Sequence, residues 1–152
     1  VTNSCSVLDV GCGVGIFTAH FFEKGFRTYK GVDLTKELTD NLKKKYPKYS
    51  FEQKDVGREK IEGSYDLVIM MSVTQHIIDD RYFRFAMNSI QNALNKNGFF
   101  FVTDIADADR RDSVYTIRRP LGYYKKVLDR LKFMGMIEFE GLNLFCFNKN
   151  SR

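Results

Sequence analysis

One short segment constrains the fold of this chain more than any other. The apolar run at residues 7–10 leads directly into Gly11, Gly13 and Gly15, and a helical pattern begins at Ile16. Glycines let the backbone turn sharply and leave room for a ligand against it. The free N–H groups and positive dipole end of the following helix favour an anionic group there. We therefore predict a strand, a ligand-binding turn and a helix, and a turn without a ligand is the weaker interpretation.

Short apolar or β-branched runs alternate with longer amphipathic segments along the chain. This rhythm predicts parallel strands joined by right-handed crossovers, with helices on both faces of the sheet. We expect strands at residues 6–10, 28–33, 49–54, 66–71 and 99–104, and helices at residues 16–24, 35–46 and 80–95. The connection at residues 55–65 is near the minimum for parallel strands and leaves room for a helical turn or two.

The end of the chain has a different pattern. After a helix predicted at residues 120–134 come two apolar runs, residues 136–140 and 143–148, separated by Gly141 and Leu142. Runs this close form a hairpin, so the last strand must run antiparallel to its neighbour. The expected fold is a three-layer, Rossmann-like α/β sheet of seven strands, mostly parallel with the last antiparallel. We expect residues 1–152 to form a single domain.

Composition narrows the class of protein and its partners. The 43% hydrophobic and 28% charged residues are typical of a soluble globular domain, and no apolar run approaches the roughly 20 residues that cross a bilayer. Cys5, Cys12 and Cys146 have no C-x-x-C spacing, so neither a disulfide framework nor a zinc site is predicted, and a cytoplasmic location is expected. The net charge of +5 permits a nucleic-acid partner. Solvated runs such as residues 43–45 supply much of that charge, so this partner is disfavoured.

Asp33 ends the second predicted strand, 22 residues after Gly11. In dinucleotide-binding folds a carboxylate about 20 residues beyond the glycine turn binds the ribose hydroxyls. The alternative is that Asp33 caps the next helix, which begins near Thr35. The dinucleotide fingerprint requires a glycine where Ile16 stands, so a nicotinamide cofactor is disfavoured.

With these features the sequence resembles class I S-adenosylmethionine-dependent methyltransferases, particularly the group with small-molecule acceptors. The resemblance covers nearly the whole chain. The segments that carry it are LDVGCGVG at residues 8–15, GVDL at 31–34, KDV at 54–56, YDLVI at 65–69, QHI at 75–77 and NGFF at 97–100. The closing hairpin also matches, because the last strand of this family inserts antiparallel between strands five and six.

The resemblance implies S-adenosylmethionine as the cofactor and assigns residues to it along the glycine turn and at three strand ends. They are Asp9, Gly11, Cys12, Gly13, Asp33, Leu34, Asp55, Val56, Met71 and Ser72. In the family the glycine turn lies along the methionine end, and Asp9 helps to hold the amino group. Asp33 binds the ribose, Leu34 packs on the adenine and Asp55 receives the adenine amino group. The two residues after the fourth strand lie near the sulfonium.

His76 and Asp104 are the candidate catalytic residues. A base is needed only if the acceptor is a poor nucleophile, and histidine exchanges a proton readily near neutral pH. For His76 an equally open alternative is ordering the loop beneath the site. Asp104 ends the fifth predicted strand and is expected to face the ligand crevice. With Asp107 and Asp109 it resembles a Mg²⁺-binding cluster, but helix capping or solvation is favoured, so no metal site is predicted.

Residues 105–124 form the long insertion on the ligand side. This segment is rich in arginine and tyrosine: Arg110, Arg111, Tyr115, Arg118, Arg119, Tyr123 and Tyr124. An acceptor with phosphate or carboxylate groups would find a bidentate partner in these arginines. A charged, mobile loop is an equally supported interpretation.

The predicted function is methyl transfer from S-adenosylmethionine to an oxygen or nitrogen atom of a small metabolite, such as a sugar or an anionic compound. Only five residues precede the first strand, so we expect the N-terminal cap helices of the family to be absent or very short. The pocket would then be open unless another chain or a missing N-terminal segment covers it. One alternative is a cofactor-binding regulatory or interaction module without turnover. Another is an NAD-dependent Rossmann enzyme.

Overall fold

The computed structural model describes residues 2–150, which form nine strands and four α-helices in that part of the chain. The first half contains β1 (Ser6–Val10), α1 (Ile16–Glu23), β2 (Thr28–Asp33), α2 (Lys36–Lys45), β3 (Ser50–Gln53) and β4 (Tyr65–Met70). The second half contains α3 (Asp80–Ala93), β5 (Leu94–Asp104), β6 (Arg110–Ser113), β7 (Thr116–Arg118), α4 (Leu121–Val127), β8 (Lys132–Phe139) and β9 (Leu142–Asn148). A 3₁₀ turn at Thr74–His76 follows β4.

The main sheet has seven strands in the order β3-β2-β1-β4-β5-β9-β8. The pairs from β3 to β5 are parallel, and β9 runs antiparallel to both β5 and β8. The prediction of a mostly parallel sheet with an antiparallel last strand is confirmed. The strand order reverses between β1 and β4, and ligands of open α/β sheets bind in the crevice at such a reversal.

Two apolar cores cover the two faces of the sheet. Successive side chains of a strand point to opposite faces, so Val7 packs towards α2 while Leu8 packs towards α3 and α4. Phe83 and Phe100 are fully buried on the α3 side. Burial of each such side chain stabilises the fold by about 1.5–3 kcal/mol. No helix among residues 2–150 is long and apolar enough to cross a membrane.

The helix predicted at residues 120–134 is wrong beyond Val127. Residues 132–139 form β8 instead, because their backbone groups pair with β9 over the whole length of the strand. Gly135 has a φ of 147°, which no helix accommodates, and marks an irregularity in that pairing. The insertion contains an antiparallel hairpin of β6 and β7, which the sequence did not predict.

Candidate functional site

A cavity of about 640 Å³ opens at the reversal of strand order. Its walls are the segments that follow β1, β2, β3 and β4, together with the start of α3. The residues at its wall are Val10, Gly11, Val32, Asp33, Leu34, Lys54, Asp55, Val56, Gly57, Arg58, Met71, Ser72, Val73, His76, Ile77, Ile78, Asp79 and Tyr82. Ligand pockets of roughly 300–1,000 Å³ hold drug-sized molecules, so the cavity is large enough for a nucleoside cofactor.

Most of the residues assigned from the sequence meet at this cavity. Those at its wall are Gly11, Asp33, Leu34, Asp55, Val56, Met71, Ser72 and His76. Those away from its wall are Asp9, Cys12, Gly13 and Asp104. The assigned strand-end residues therefore lie around one hollow, whereas the second group does not contribute to its wall.

Gly11 forms part of the wall because only glycine fits there. Its φ is 78°, and a Cβ at this position would stand 2.2 Å from Cγ2 of Val73. The Gly11 and Cys12 N–H groups both donate to the Val32 carbonyl, over 2.7 and 3.0 Å. These two N–H groups therefore donate within the protein and are not free to donate to a ligand. The turn contributes a fixed backbone surface to the cavity.

The other two glycines have different roles. Gly15 has a φ of 89°, and its missing Cβ leaves room for Leu42 of α2, whose Cδ2 lies 2.4 Å from the Cβ position. Helix packing therefore accounts for Gly15 without a ligand. Gly13 has open space around it and donates its N–H to Asp33.

Asp33 connects the glycine turn to the next helix. One carboxylate oxygen accepts the Gly13 N–H over 2.9 Å, and the other accepts the Thr35 N–H over 2.9 Å. The contact with Thr35 is a turn that leads into α2, and the first turn of that helix receives no side-chain cap. Asp33 also lies at the cavity wall. Each carboxylate oxygen can accept more than one hydrogen bond, so both oxygens retain acceptor capacity.

Asp55 lies at the cavity wall, in the turn after β3. Its Oδ1 accepts the Gly57 N–H over 3.0 Å, and its Oδ2 lies 3.3 Å from Nη1 of Arg58. The Arg58 guanidinium in turn lies 4.6 Å from the ring centre of Tyr82 on α3. Neither Arg58 nor Tyr82 was identified from the sequence, because nothing local indicates that α3 reaches the cavity.

Ser72 follows β4 in a left-handed conformation, with a φ of 56°. Its N–H donates to Oγ1 of Thr103 over 2.7 Å, and its carbonyl accepts Nε2 of Gln75 over 3.0 Å. A non-glycine residue in this region is uncommon and persists where the surroundings hold it. These contacts hold the Ser72 backbone at the wall of the cavity.

Asp9 lies behind the cavity wall. Its carboxylate is buried and accepts the Tyr29 hydroxyl over 2.6 Å, and that hydroxyl also lies 2.8 Å from Oγ1 of Thr18. Burial raises the pKa of Asp9 to about 6, although the Tyr29 hydrogen bond opposes the shift. Burial also raises the pKa of the neighbouring Cys12 thiol to about 12, so this thiol is not a nucleophile.

Asp104 does not face the crevice, contrary to the sequence-based expectation. Asp104 is fully buried. Its carboxylate accepts hydrogen bonds from the Tyr124 hydroxyl over 2.7 Å and from the Ile105 N–H over 2.9 Å. The reason is that α4 and the β6–β7 hairpin pack over the end of β5. Asp104 therefore anchors the insertion to the end of β5, and its carboxylate is not accessible from the cavity.

His76 is exposed on the 3₁₀ turn at the cavity. Its Nδ1 lies 3.4 Å from the backbone carbonyl of Tyr115, at the tip of the hairpin. A proton on Nδ1 would be donated to that carbonyl, which leaves Nε2 as an acceptor. This arrangement suits a base at the mouth of the cavity.

The arginines of the insertion have partners within the protein. Arg110 and Arg118 both bind Asp112, over 2.7 and 3.0 Å, and Arg111 donates to the Val114 carbonyl. Buried Arg119 donates to the carbonyls of the 3₁₀ segment. None of the four lies at the cavity wall, so the expected role in binding an anionic acceptor gains no support here. Residues 2–150 contain no cluster of three or more potential metal ligands.

Known proteins resemble this chain in sequence and in fold. A family model described as a methyltransferase domain matches residues 3–145. The ribosomal protein L11 methyltransferase of Staphylococcus saprophyticus is 26% identical over 123 residues, which are 78% of this chain and 38% of that protein. The chain thus spans well under half the length of this curated relative.

Solved structures match almost the entire chain. A TehB-like S-adenosylmethionine-dependent methyltransferase from Corynebacterium glutamicum has a TM-score of 0.80 at 19% identity, over 99% of this chain and 83% of that one. The N-methyltransferase NodS from Bradyrhizobium japonicum, in complex with S-adenosyl-L-homocysteine, has a TM-score of 0.82 at 18% identity, over 97% and 80%. At these identities the likeness establishes the fold alone.

Proposed function

The chain belongs to the S-adenosylmethionine-dependent methyltransferases, and from this premise we propose that it methylates an oxygen or nitrogen atom of a small metabolite. The observation that carries the proposal is the single cavity wall that joins Gly11, Asp33 and His76. It combines a bare backbone surface, a carboxylate and an exposed imidazole. NodS is named an N-methyltransferase, which favours a nitrogen acceptor by analogy.

The residues at the cavity fit the cofactor. Gly11 lies at the cavity wall and presents backbone there without a side chain, while Val73 occupies the position that a Cβ would take. Asp33 would hold the ribose through its remaining acceptor capacity, and Asp55 would receive the adenine amino group. Leu34 is 66% exposed beside Asp33 and would be covered by the adenine.

The cofactor supplies an activated methyl group when it is bound, so the protein contributes chiefly orientation and exclusion of water. Gly11 and Ser72 hold rigid backbone on two sides of the cavity. His76 accepts the proton that a hydroxyl or ammonium acceptor must release, on Nε2, while the Tyr115 carbonyl holds Nδ1. Ile77 and Ile78 provide apolar surface next to His76 for the body of the acceptor.

The binding half of the proposal is tested with Asp33→Asn. The variant removes the charge that strengthens hydrogen bonds to ribose hydroxyls, and such bonds contribute about 1.5–3 kcal/mol. We expect S-adenosylhomocysteine to bind about tenfold to a hundredfold more weakly in isothermal titration. Asp40→Asn is the matched control, because Asp40 is half-buried on α2, as Asp33 is at the cavity, and pairs with Lys36 instead. Equal affinity of Asp33→Asn and the wild type would contradict the assignment.

The catalytic half is tested by release of S-adenosylhomocysteine with a panel of small amines and hydroxyl compounds. Turnover with at least one member is expected, and His76→Gln should lower kcat while the cofactor affinity is kept. Undiminished cofactor binding without turnover, even with a cell lysate as the acceptor source, would favour the regulatory module instead.

A further inference from the structure

The turn after β3 packs closely against the start of α3 at the cavity wall. Gly57 makes this approach possible, because a Cβ there would stand 3.0 Å from Cβ of Tyr82 and 3.3 Å from Oδ1 of Asp55. Both distances are shorter than an ordinary van der Waals contact between carbon atoms. Gly57, Arg58 and Tyr82 all lie at the cavity wall. The Tyr82 side chain therefore lies directly against the backbone of the turn.

The backbone of this turn is fixed by its own hydrogen bonds. The Asp55 carbonyl accepts the N–H groups of Arg58 and Glu59, over 2.9 and 2.7 Å. The Asp55 N–H in turn donates to Oε1 of Glu59 over 2.8 Å. The Arg58 side chain therefore extends from a backbone that the turn itself holds in place.

The Arg58 guanidinium is held on two sides. Its Nη1 lies 3.3 Å from Oδ2 of Asp55, and its Cζ lies 4.6 Å from the ring centre of Tyr82. A guanidinium carries five N–H donors in one plane, and within residues 2–150 the Asp55 carboxylate accepts from one nitrogen of this group alone. Further Arg58 donors are therefore available at the cavity wall, beside the Asp55 carboxylate.

A carboxylate next to a guanidinium presents an acceptor beside a donor. The edge of an adenine has the complementary pattern, because its amino group donates and the ring nitrogens on either side of that group accept. The proposed function assigns the amino group to Asp55, and the inference rests on that assignment. We propose that Arg58 donates to a ring nitrogen next to the amino group, so that Asp55 and Arg58 together select adenine. The Tyr82 ring orients the guanidinium before the cofactor binds, which lowers the entropic cost of the contact.

The test is isothermal titration with S-adenosylhomocysteine and with its 1-deaza and 7-deaza analogues, each of which has CH in place of one ring nitrogen next to the amino group. Arg58→Met should bind S-adenosylhomocysteine about fivefold to twentyfold more weakly than the wild type, because a partly exposed charged donor is lost. One analogue should be bound equally by the wild type and the variant, because its missing nitrogen is the partner of Arg58. The other analogue should show the full loss.

Arg81→Met is the matched control. The Arg81 guanidinium lies 5.9 Å from the same Tyr82 ring, but it pairs with Asp79 and lies away from the cavity wall. This variant removes the same charge and should keep the wild-type affinity for all three ligands. Tyr82→Leu should weaken the binding of S-adenosylhomocysteine about twofold to fivefold, and Tyr82→Phe, which keeps the ring, should bind as the wild type does.

An unchanged affinity of Arg58→Met for S-adenosylhomocysteine would overturn the inference and leave the proposed function standing. An equal loss for all three ligands would also overturn it, because Arg58 would then support the turn without contacting a ring nitrogen. A wild type that binds no S-adenosylhomocysteine would overturn the proposed function together with the inference.

Discussion

Gly11 has a positive φ and also lies at the wall of the cavity. Its positive φ and its 2.2 Å approach to Val73 mean that Gly11→Ala must move either the turn or Val73. We expect a loss of about 1–3 kcal/mol in the free energy of unfolding, measured with urea, and loss of measurable cofactor binding in titration.

Gly122→Ala is the control for that substitution. Gly122 lies within α4, and apart from that helix itself no atom of residues 2–150 lies within 4 Å of its Cβ position. Alanine should stabilise this helix by about 0.5–1 kcal/mol and leave cofactor affinity unchanged. Cofactor binding by Gly11→Ala at wild-type affinity would show that the Gly11 surface does not contact the ligand.

Asp9 makes the stability of the protein depend on pH in an unusual direction. Burial raises its pKa from 3.8 to about 6, so between these values the folded protein holds a proton that the unfolded chain has released. The contribution of protonated Asp9 to the free energy of unfolding is therefore complete below about pH 4 and is lost as the pH rises through about 6. The loss amounts to at most about 3 kcal/mol, at 1.36 kcal/mol per pKa unit.

Asp9→Asn isolates this effect. The carboxylates whose pKa is lowered, such as Asp66 and Asp79, are shared by both proteins and cancel in the comparison. The free energy of unfolding of the wild type, relative to the variant, should fall as the pH rises from about 4 to about 7. A flat difference across this interval would mean that Asp9 ionises in the folded protein as readily as in the unfolded chain.

At the level of elements, Arg119 fastens the 3₁₀ segment to the insertion. Its guanidinium donates to the carbonyls of Ile77 and Thr74, over 2.8 and 3.4 Å, and lies 4.1 Å from the ring centre of Phe83. Arg119→Met should cost about 2–4 kcal/mol in urea unfolding, because two carbonyls lose their donor. Turnover should fall more than cofactor affinity, since His76 lies on the same segment.

Arg111→Met is the control for Arg119→Met. Arg111 is exposed on β6, and its one acceptor among the described residues is the Val114 carbonyl at the hairpin tip. It should change stability by less than about 0.5 kcal/mol. Equal losses from the two variants would show that the hairpin as a whole, and not the Arg119 contacts, holds the 3₁₀ segment.

At the level of the whole molecule, the cavity draws its wall from β1 through to α3, so ligand binding should stabilise the entire fold. S-adenosylhomocysteine at about a hundred times its Kd should add about 2.7 kcal/mol to the free energy of unfolding. For a chain of this size that corresponds to a rise in Tm of about 5–10 °C, measured by calorimetry. NADH at the same concentration should give no rise, and an equal rise would favour the nicotinamide alternative.

The amino-acid sequence by itself determined the strands β1 and β2 to the residue, the glycine turn, the parallel sheet and the closing hairpin. These features depend on neighbours along the chain: an apolar run makes a buried strand, and glycine allows a positive φ. The sequence also predicted that Asp33 and His76 lie at the same end of the sheet, where the cavity opens, because the carboxyl ends of parallel strands meet at one edge.

Only the tertiary structure decided how individual polar side chains are used. Asp33 and Asp104 both end parallel strands, yet Asp33 lies at the cavity and Asp104 is sealed beneath α4 and the hairpin. Arg58 and Tyr82 reach the cavity through contacts between segments far apart in sequence. Residues 132–134 belong to β8 and not to the predicted helix, because pairing of β8 with β9 outweighs local preference. Burial and pairing of this kind depend on which distant segments pack together, and no local pattern encodes that.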